Sequence, residues 1–115
     1  MEVVLNGKEY PVRTEVSSLT SSIEGMLPLA LKLSRSADHE YYTSLPQSVS
    51  VDGVESTSHV KAGWVYYFKD WNAFALNFKE TDIAPYKVYI IGEISGGIAG
   101  ILDECGQSIE VIIRK

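Results

Sequence analysis

The segment Gly63–Phe78 has the sequence GWVYYFKDWNAFALNF, which is the strongest β-strand signal in the chain. Its two halves, Trp64–Phe68 and Ala73–Phe78, are rich in aromatic residues, which favour β-strands. Only Lys69–Asn72 separates the halves, and so short a connection predicts an antiparallel hairpin. A mainly β domain is therefore expected around this hairpin.

Further strands are predicted on both sides of it. A second hairpin is expected at Met1–Arg13, because Asn6-Gly7 suits a turn that needs positive φ at both central residues. Residues 35–48 and 79–86 are expected to be irregular. Alternating apolar residues predict the remaining strands, at Leu29–Ser34, Val49–Val54, Val88–Ile94 and Ser108–Arg114.

Two short helices are predicted between the strands. Apolar residues recur at helical spacing in Val16–Leu27, where Ser17 or Ser18 can cap the start. Gly96–Leu102 is expected to form a second short helix or turn. Many short strands with few helices favour a closed barrel or a sandwich.

Size and charge restrict the function. The chain has 115 residues, which favours a single domain over 1–115. The formal net charge is −5 and the basic residues do not cluster, so nucleic acid is not an expected partner. No apolar run approaches the length that crosses a bilayer, so no membrane association is expected. Cys105 is the only cysteine, which fits a reducing compartment, and the cytoplasm is the expected location.

Several segments resemble the small prokaryotic cyclophilin-like proteins. They are Met26–Leu33, Tyr41–Pro46, Gly63–Asn72 and Val88–Ile94. The resemblance implies a mainly β fold: a closed barrel of about eight strands with two short helices and a groove on the outer face. The chain departs from the family pattern at Trp64, where an acidic residue is usual, and at Trp71-Asn72-Ala73, which lacks the usual glycine.

The resemblance also bears on catalysis. In true cyclophilins the groove holds a proline-containing peptide, and an arginine polarises the amide bond. The corresponding position here is aliphatic, at Leu29 or Leu31, and the cyclophilin glutamine is absent near Phe74 and Leu76. Without a donor to stabilise the twisted amide, such a groove is expected to bind without catalysing well.

An aromatic-lined groove is the predicted binding site, because such concavities suit small molecules and short peptides. Tyr66, Phe74 and Phe78 lie inside predicted strands and are better explained as barrel core. No catalytic residue, cofactor or metal is expected. The predicted groove residues are Leu31, Tyr41, Tyr67, Trp71, Phe74 and Leu76.

Other functions stay open at this point. A weak prolyl isomerase or another enzyme is one alternative, although Ser58-His59 lacks the motif of a hydrolase nucleophile. A metal site at His39 and His59 is disfavoured, because their spacing matches no zinc motif. An interaction domain that forms a homodimer or docks on a larger enzyme is the third class.

Overall fold

Antiparallel strands are the main elements of the computed structural model, which describes residues 1–115. Two helices and one 3₁₀ turn, Lys69–Trp71, join them. The helices are α1 (Ser18–Glu24) and α2 (Ile98–Asp103). The strands are β1 (Glu2–Leu5), β2 (Lys8–Thr14), β3 (Leu29–Ser36), β4 (Glu40–Ser44), β5 (Ser56–Thr57), β6 (His59–Val60), β7 (Trp64–Phe68), β8 (Ala73–Asn77), β9 (Thr81–Asp82), β10 (Val88–Ile94) and β11 (Ser108–Arg114).

The main sheet closes on itself. Its nine strands run in the order β2-β1-β11-β3-β4-β8-β7-β10-β5, and β10 also pairs with β2. Eight of them therefore form a closed barrel, and β5 is an addition beside β10. Strands β6 and β9 form a separate two-stranded sheet. The predicted closed barrel of about eight strands with two short helices is confirmed.

The barrel interior is filled by every second residue of the strands. In β8, Phe74 and Leu76 belong to the main core, whereas Ala73 and Ala75 point to the outside of the barrel. A cluster of 21 buried residues forms this core. Helices α1 and α2 complete the same cluster with Leu19, Ile23, Ile98 and Leu102.

Local signals place the predicted turns and caps. Asn6 and Gly7 both have positive φ, 53° and 76°, as the turn between β1 and β2 requires. The hydroxyl of Ser17 accepts a hydrogen bond from the backbone N–H of Thr20 at 3.1 Å and so caps α1. The aromatic hairpin is confirmed as β7 and β8.

Three predictions about the middle of the chain were wrong. Residues 35–48, which were expected to be irregular, contain β4, which pairs with both β3 and β8. Residues 79–86, also expected to be irregular, contain the short strand β9. Val49–Val54 is not a strand, because its end folds into a turn in which the N–H of Val54 donates to the carbonyl of Val51. Its valines lie against the main core as a partly buried cover.

Neither α1 nor α2 has the length and apolar character that a membrane-spanning helix needs.

Candidate functional site

Four aromatic rings lie side by side on the outer face of the barrel, and we call them the aromatic row: Tyr42, Phe68, Trp71 and Tyr86. The ring centres of Tyr42 and Trp71 are 5.5 Å apart, those of Trp71 and Phe68 are 5.1 Å apart, and those of Phe68 and Tyr86 are 6.1 Å apart. Trp71 is 56% exposed and Tyr86 is 61% exposed. The row therefore presents large apolar surface to the solvent.

Small residues on β8 leave room for this arrangement. Ala75 pairs with Tyr42 on β4, and Ala73 pairs with Phe68 on β7. Because the alanines have little bulk, the Trp71 ring can approach Tyr42 on one side and Phe68 on the other. The row thus follows from the alternation of small outward and large inward residues along β8.

Asn72 holds Trp71 in place. It has a left-handed backbone with φ 48° and ψ 43°, which Asn adopts more readily than most residues. Its side-chain N–H₂ donates to the carbonyls of Leu45, at 3.2 Å, and Gln47, at 3.0 Å. Its side-chain oxygen accepts from the hydroxyl of Tyr67. The turn is consequently fixed on three sides.

The six predicted groove residues do not form one open surface. Trp71 is exposed, and Leu31 is partly buried against the core. The other four belong to the closed core, because their strand positions point inwards: Tyr41, Tyr67, Phe74 and Leu76. The exposed site around Trp71 is completed instead by Tyr42, Phe68 and Tyr86, which are not among the six predicted groove residues.

The missing rings have the opposite strand parity. Tyr42 follows the inward Tyr41, and Phe68 follows the inward Tyr67, so both point outwards. The small residues Ala73 and Ala75 were the available signal, since outward alanines between two aromatic strands leave space above them. Tyr86 lies in the loop before β10, and no periodic signal marked it.

A polar cluster lies beside the aromatic row, at the start of β4. Tyr66, buried on the outer face of the barrel, donates its hydroxyl hydrogen to Glu40. Burial, together with the charge of Glu40, raises the pKa of Tyr66 far above its usual value. Asn77 donates to the carbonyls of Lys61 and Lys79, so its side-chain oxygen accepts from Nδ1 of His39 at 2.8 Å.

Arg35 closes one end of the barrel. Its guanidinium lies 4.4 Å from the ring centre of Phe78. Hydrogen bonds to Asp38 and, secondly, to Tyr41 raise the pKa of Arg35 above its usual value. All three guanidinium nitrogens donate to oxygens of the chain, which are the Asp38 carboxylate, the Tyr41 hydroxyl, the carbonyls of Leu102, Asp103 and Cys105, and the Asp103 carboxylate.

A separate cleft of about 660 Å³ opens where β10 changes partners from β5 to β2. Trp64 and Gly92 contribute to its lining, together with the ion pair of Arg13 and Glu93. The register of β10 against β7 shifts between Ile90 and Gly92, which marks a bulge beside the cleft. The cleft is lined mostly by polar residues, in contrast to the aromatic row.

The two histidines have different partners. His39 is buried against Asn77, whereas His59 is exposed and its Nε2 lies 2.5 Å from the carboxylate of Glu80. The hydrogen bond from His59 lowers the pKa of Glu80. No group of three or more His, Cys, Asp or Glu side chains is arranged to hold a metal ion.

Comparison with known proteins bears on the fold. The solution structure of a hypothetical protein from Archaeoglobus fulgidus is similar, with a TM-score of 0.65 and 19% sequence identity over 98% of this chain and 91% of that one. At this identity the likeness concerns the fold alone. No curated protein matches the chain. The sequence profile of the cyclophilin-like family matches residues 3–114. The chain therefore belongs to the cyclophilin-like family.

Proposed function

We propose that this protein is a non-catalytic binding module that uses the aromatic row to hold a small molecule or a short peptide. The observation that carries the proposal is the exposure of Trp71 and Tyr86 within a continuous row of four rings. Exposed tryptophan and tyrosine are the residues that most often dominate binding energy, because they offer large rigid surfaces at little entropic cost.

The arginines support binding without prolyl isomerisation. The hydrogen-bond donors of Arg35 are engaged with the chain itself, so they are not free to polarise a substrate amide. Arg13 is paired with Glu93 in the separate cleft, and Arg114 is paired with Glu2 and Glu9. A protease-coupled assay with proline peptides tests this directly. We expect no turnover above the uncatalysed rate, and turnover that is lost in Trp71→Ala would contradict the proposal.

A thermal-shift screen against a library of metabolites and short peptides tests the binding role. A compound that binds only the folded protein raises the melting temperature. We expect the compounds that stabilise the wild type to stabilise the matched control Ile101→Ala, since Ile101 is an exposed residue on α2. The same compounds should lose their effect in Trp71→Ala. Equal melting-temperature shifts in Trp71→Ala and in the control variant would refute this role for the row. The absence of any shift in the wild type would refute it as well.

Association through the sheet β1-β11-β3 is the alternative, with a second copy or a larger enzyme as partner. Ile112, which is 45% exposed, lies there between Val4 and Ala30 on the neighbouring strands. Light scattering separates the two proposals, because a stable dimer that Ile112→Ala converts to monomer favours this alternative. We also propose the cytoplasm as the compartment, since Cys105 has no disulfide partner.

A further inference from the structure

A negative charge without a positive partner stands at the end of the aromatic row. The side chain of Glu40 is only 16% exposed, and Tyr66 is its hydrogen-bond donor. No lysine or arginine nitrogen lies within 4.0 Å of its carboxylate. The only basic nitrogen within that distance is Nδ1 of His39, at 3.7 Å.

A neutral His39 leaves the negative charge of Glu40 without a positive partner. The side-chain N–H₂ of Asn77 is used by two backbone carbonyls, so its oxygen faces His39 and accepts the Nδ1 hydrogen at 2.8 Å. The neutral imidazole therefore turns its N–H towards Asn77. Lys79 is engaged elsewhere, because its Nζ lies 3.5 Å from the carboxylate of Asp38.

One oxygen of Glu40 has no hydrogen-bond donor in the chain. Oε1 accepts from Tyr66, whereas Oε2 accepts no hydrogen bond from the chain. No buried side-chain polar atom lacks a partner in the structure, so Oε2 is not sealed from the solvent. A partly buried carboxylate with only neutral donors gains most from a cation, because a charge removed from water is costly unless it is paired.

The strand geometry sets the spacing between this charge and the row. Glu40 and Tyr42 lie two residues apart on β4 and point to the same outer face, about 7 Å from each other along the strand. Tyr42 in turn contacts Trp71. A ligand with an apolar ring and a cationic group two or three bonds away can therefore reach both features.

From this we infer that the aromatic row selects organic cations, namely ligands in which a protonated amine or a guanidinium is attached to an apolar body. The apolar body lies on Tyr42 and Trp71, and the cation donates to Oε2 of Glu40. The inference rests on the proposed binding role of the row and adds the chemical class of its ligand.

Two probes of equal shape test it: 2-phenylethylammonium and 2-phenylethanol. Amide and indole chemical shifts are followed by NMR during titration of the wild type. We expect the ammonium probe to bind about tenfold more tightly than the alcohol, as a charge-assisted hydrogen bond at a partly buried site allows. This preference should decrease as salt is added.

The variants separate the charge of Glu40 from its structural role. Glu40→Gln keeps an acceptor for Tyr66 but removes the charge, so the two probes should bind it with nearly equal affinity. Glu110→Gln, on β11, makes the same change in net charge and should retain the full preference.

Each outcome is decisive. Equal affinity of the two probes for the wild type, or a preference that persists in Glu40→Gln, would overturn the inference while leaving the binding role intact. If neither probe shifts the signals of the row, the inference about organic cations is overturned, whereas the thermal-shift screen decides the binding role separately. If Glu40→Gln does not fold, the ratio of the two probe affinities for the wild type, and its dependence on salt, still test the inference.

Discussion

Tyr67 and Asn72 are joined by a hydrogen bond that connects the barrel interior to the turn carrying Trp71. Tyr67 is buried in the core, and its hydroxyl donates to the side-chain oxygen of Asn72. Burial raises the pKa of Tyr67, so the hydroxyl stays protonated as a donor. The exposed row is thus positioned by the rigid core beneath it.

Replacement of Asn72 should loosen this turn. Asn72→Gly permits the left-handed backbone but loses the side-chain hydrogen bonds, and it should lower the unfolding free energy by about 1–2 kcal/mol. Asn72→Ala adds backbone strain and should cost about 1 kcal/mol more. Urea unfolding measures both values. If Asn72→Ala is as stable as the wild type, Asn72 does not hold the turn.

Phe74 and Trp71 should respond in opposite ways to truncation. Phe74→Ala leaves a cavity in the closed core and should cost about 3–5 kcal/mol of stability. Trp71→Ala removes an exposed ring and should cost less than about 1 kcal/mol while abolishing ligand binding. Denaturation and binding titrations on the two variants check this. A mild effect of Phe74→Ala would place Phe74 outside the core.

Gly92 should tolerate no side chain. A Cβ there would lie 2.9 Å from the Cα of Thr14 and would also collide with the carbonyl oxygen of Arg13, both in the backbone of β2. Because β2 and β10 close the barrel, Gly92→Ala should cost about 1–3 kcal/mol.

Gly100 provides the matched control for this substitution. It lies in α2, and a Cβ at that position meets nothing within 4 Å. Gly100→Ala should therefore stabilise the protein by about 0.5–1 kcal/mol, because alanine favours a helix. Thermal unfolding of both variants tests the contrast, and equal effects would argue against the close approach of β2 to Gly92.

Protonation of Asp38 at low pH should destabilise the end of the barrel that Arg35 closes. The hydrogen bond from Arg35, with a further contribution from Lys79, lowers the pKa of Asp38 below its ordinary 3.8. A carboxyl whose folded pKa is lowered stabilises the fold above its ordinary pKa, and this stability is lost as the pH falls through the folded value. Asp38→Asn should flatten the acid limb of a melting-temperature profile. Asp70→Asn is the control, and an unchanged limb in Asp38→Asn would disprove the coupling.

Much of the fold could be predicted from the sequence, because alternation and turn chemistry are local. The Asn6-Gly7 turn and β11 are examples of such local signals. Strand β4 was missed because two of its three outward positions, Glu40 and Ser44, are polar and only Tyr41 is fully buried. Its strand conformation depends on pairing with β3 and β8. Strand β3 is reached through a turn in which Ala37 and Asp38 have positive φ, and β8 is distant along the chain.

The site was harder to predict than the fold. In Trp64–Phe68 both strand faces carry aromatic residues, so the segment alone does not show that Tyr67 points inwards and Phe68 outwards. The register against the small Ala73 decides the matter, and that register is a tertiary property. Trp71 is exposed because it lies in the turn between β7 and β8 rather than in a strand.

The two tryptophans allow the most direct test of the central claim, that ligands bind on the aromatic row outside a closed barrel. Trp71 belongs to the row and Trp64 lines the separate cleft, so their indole N–H signals report the two places independently. In an NMR titration with compounds that raise the melting temperature, the Trp71 signal should shift together with the amides of Tyr42 and Phe68. A shift confined to Trp64 and its neighbours in the cleft would contradict the account.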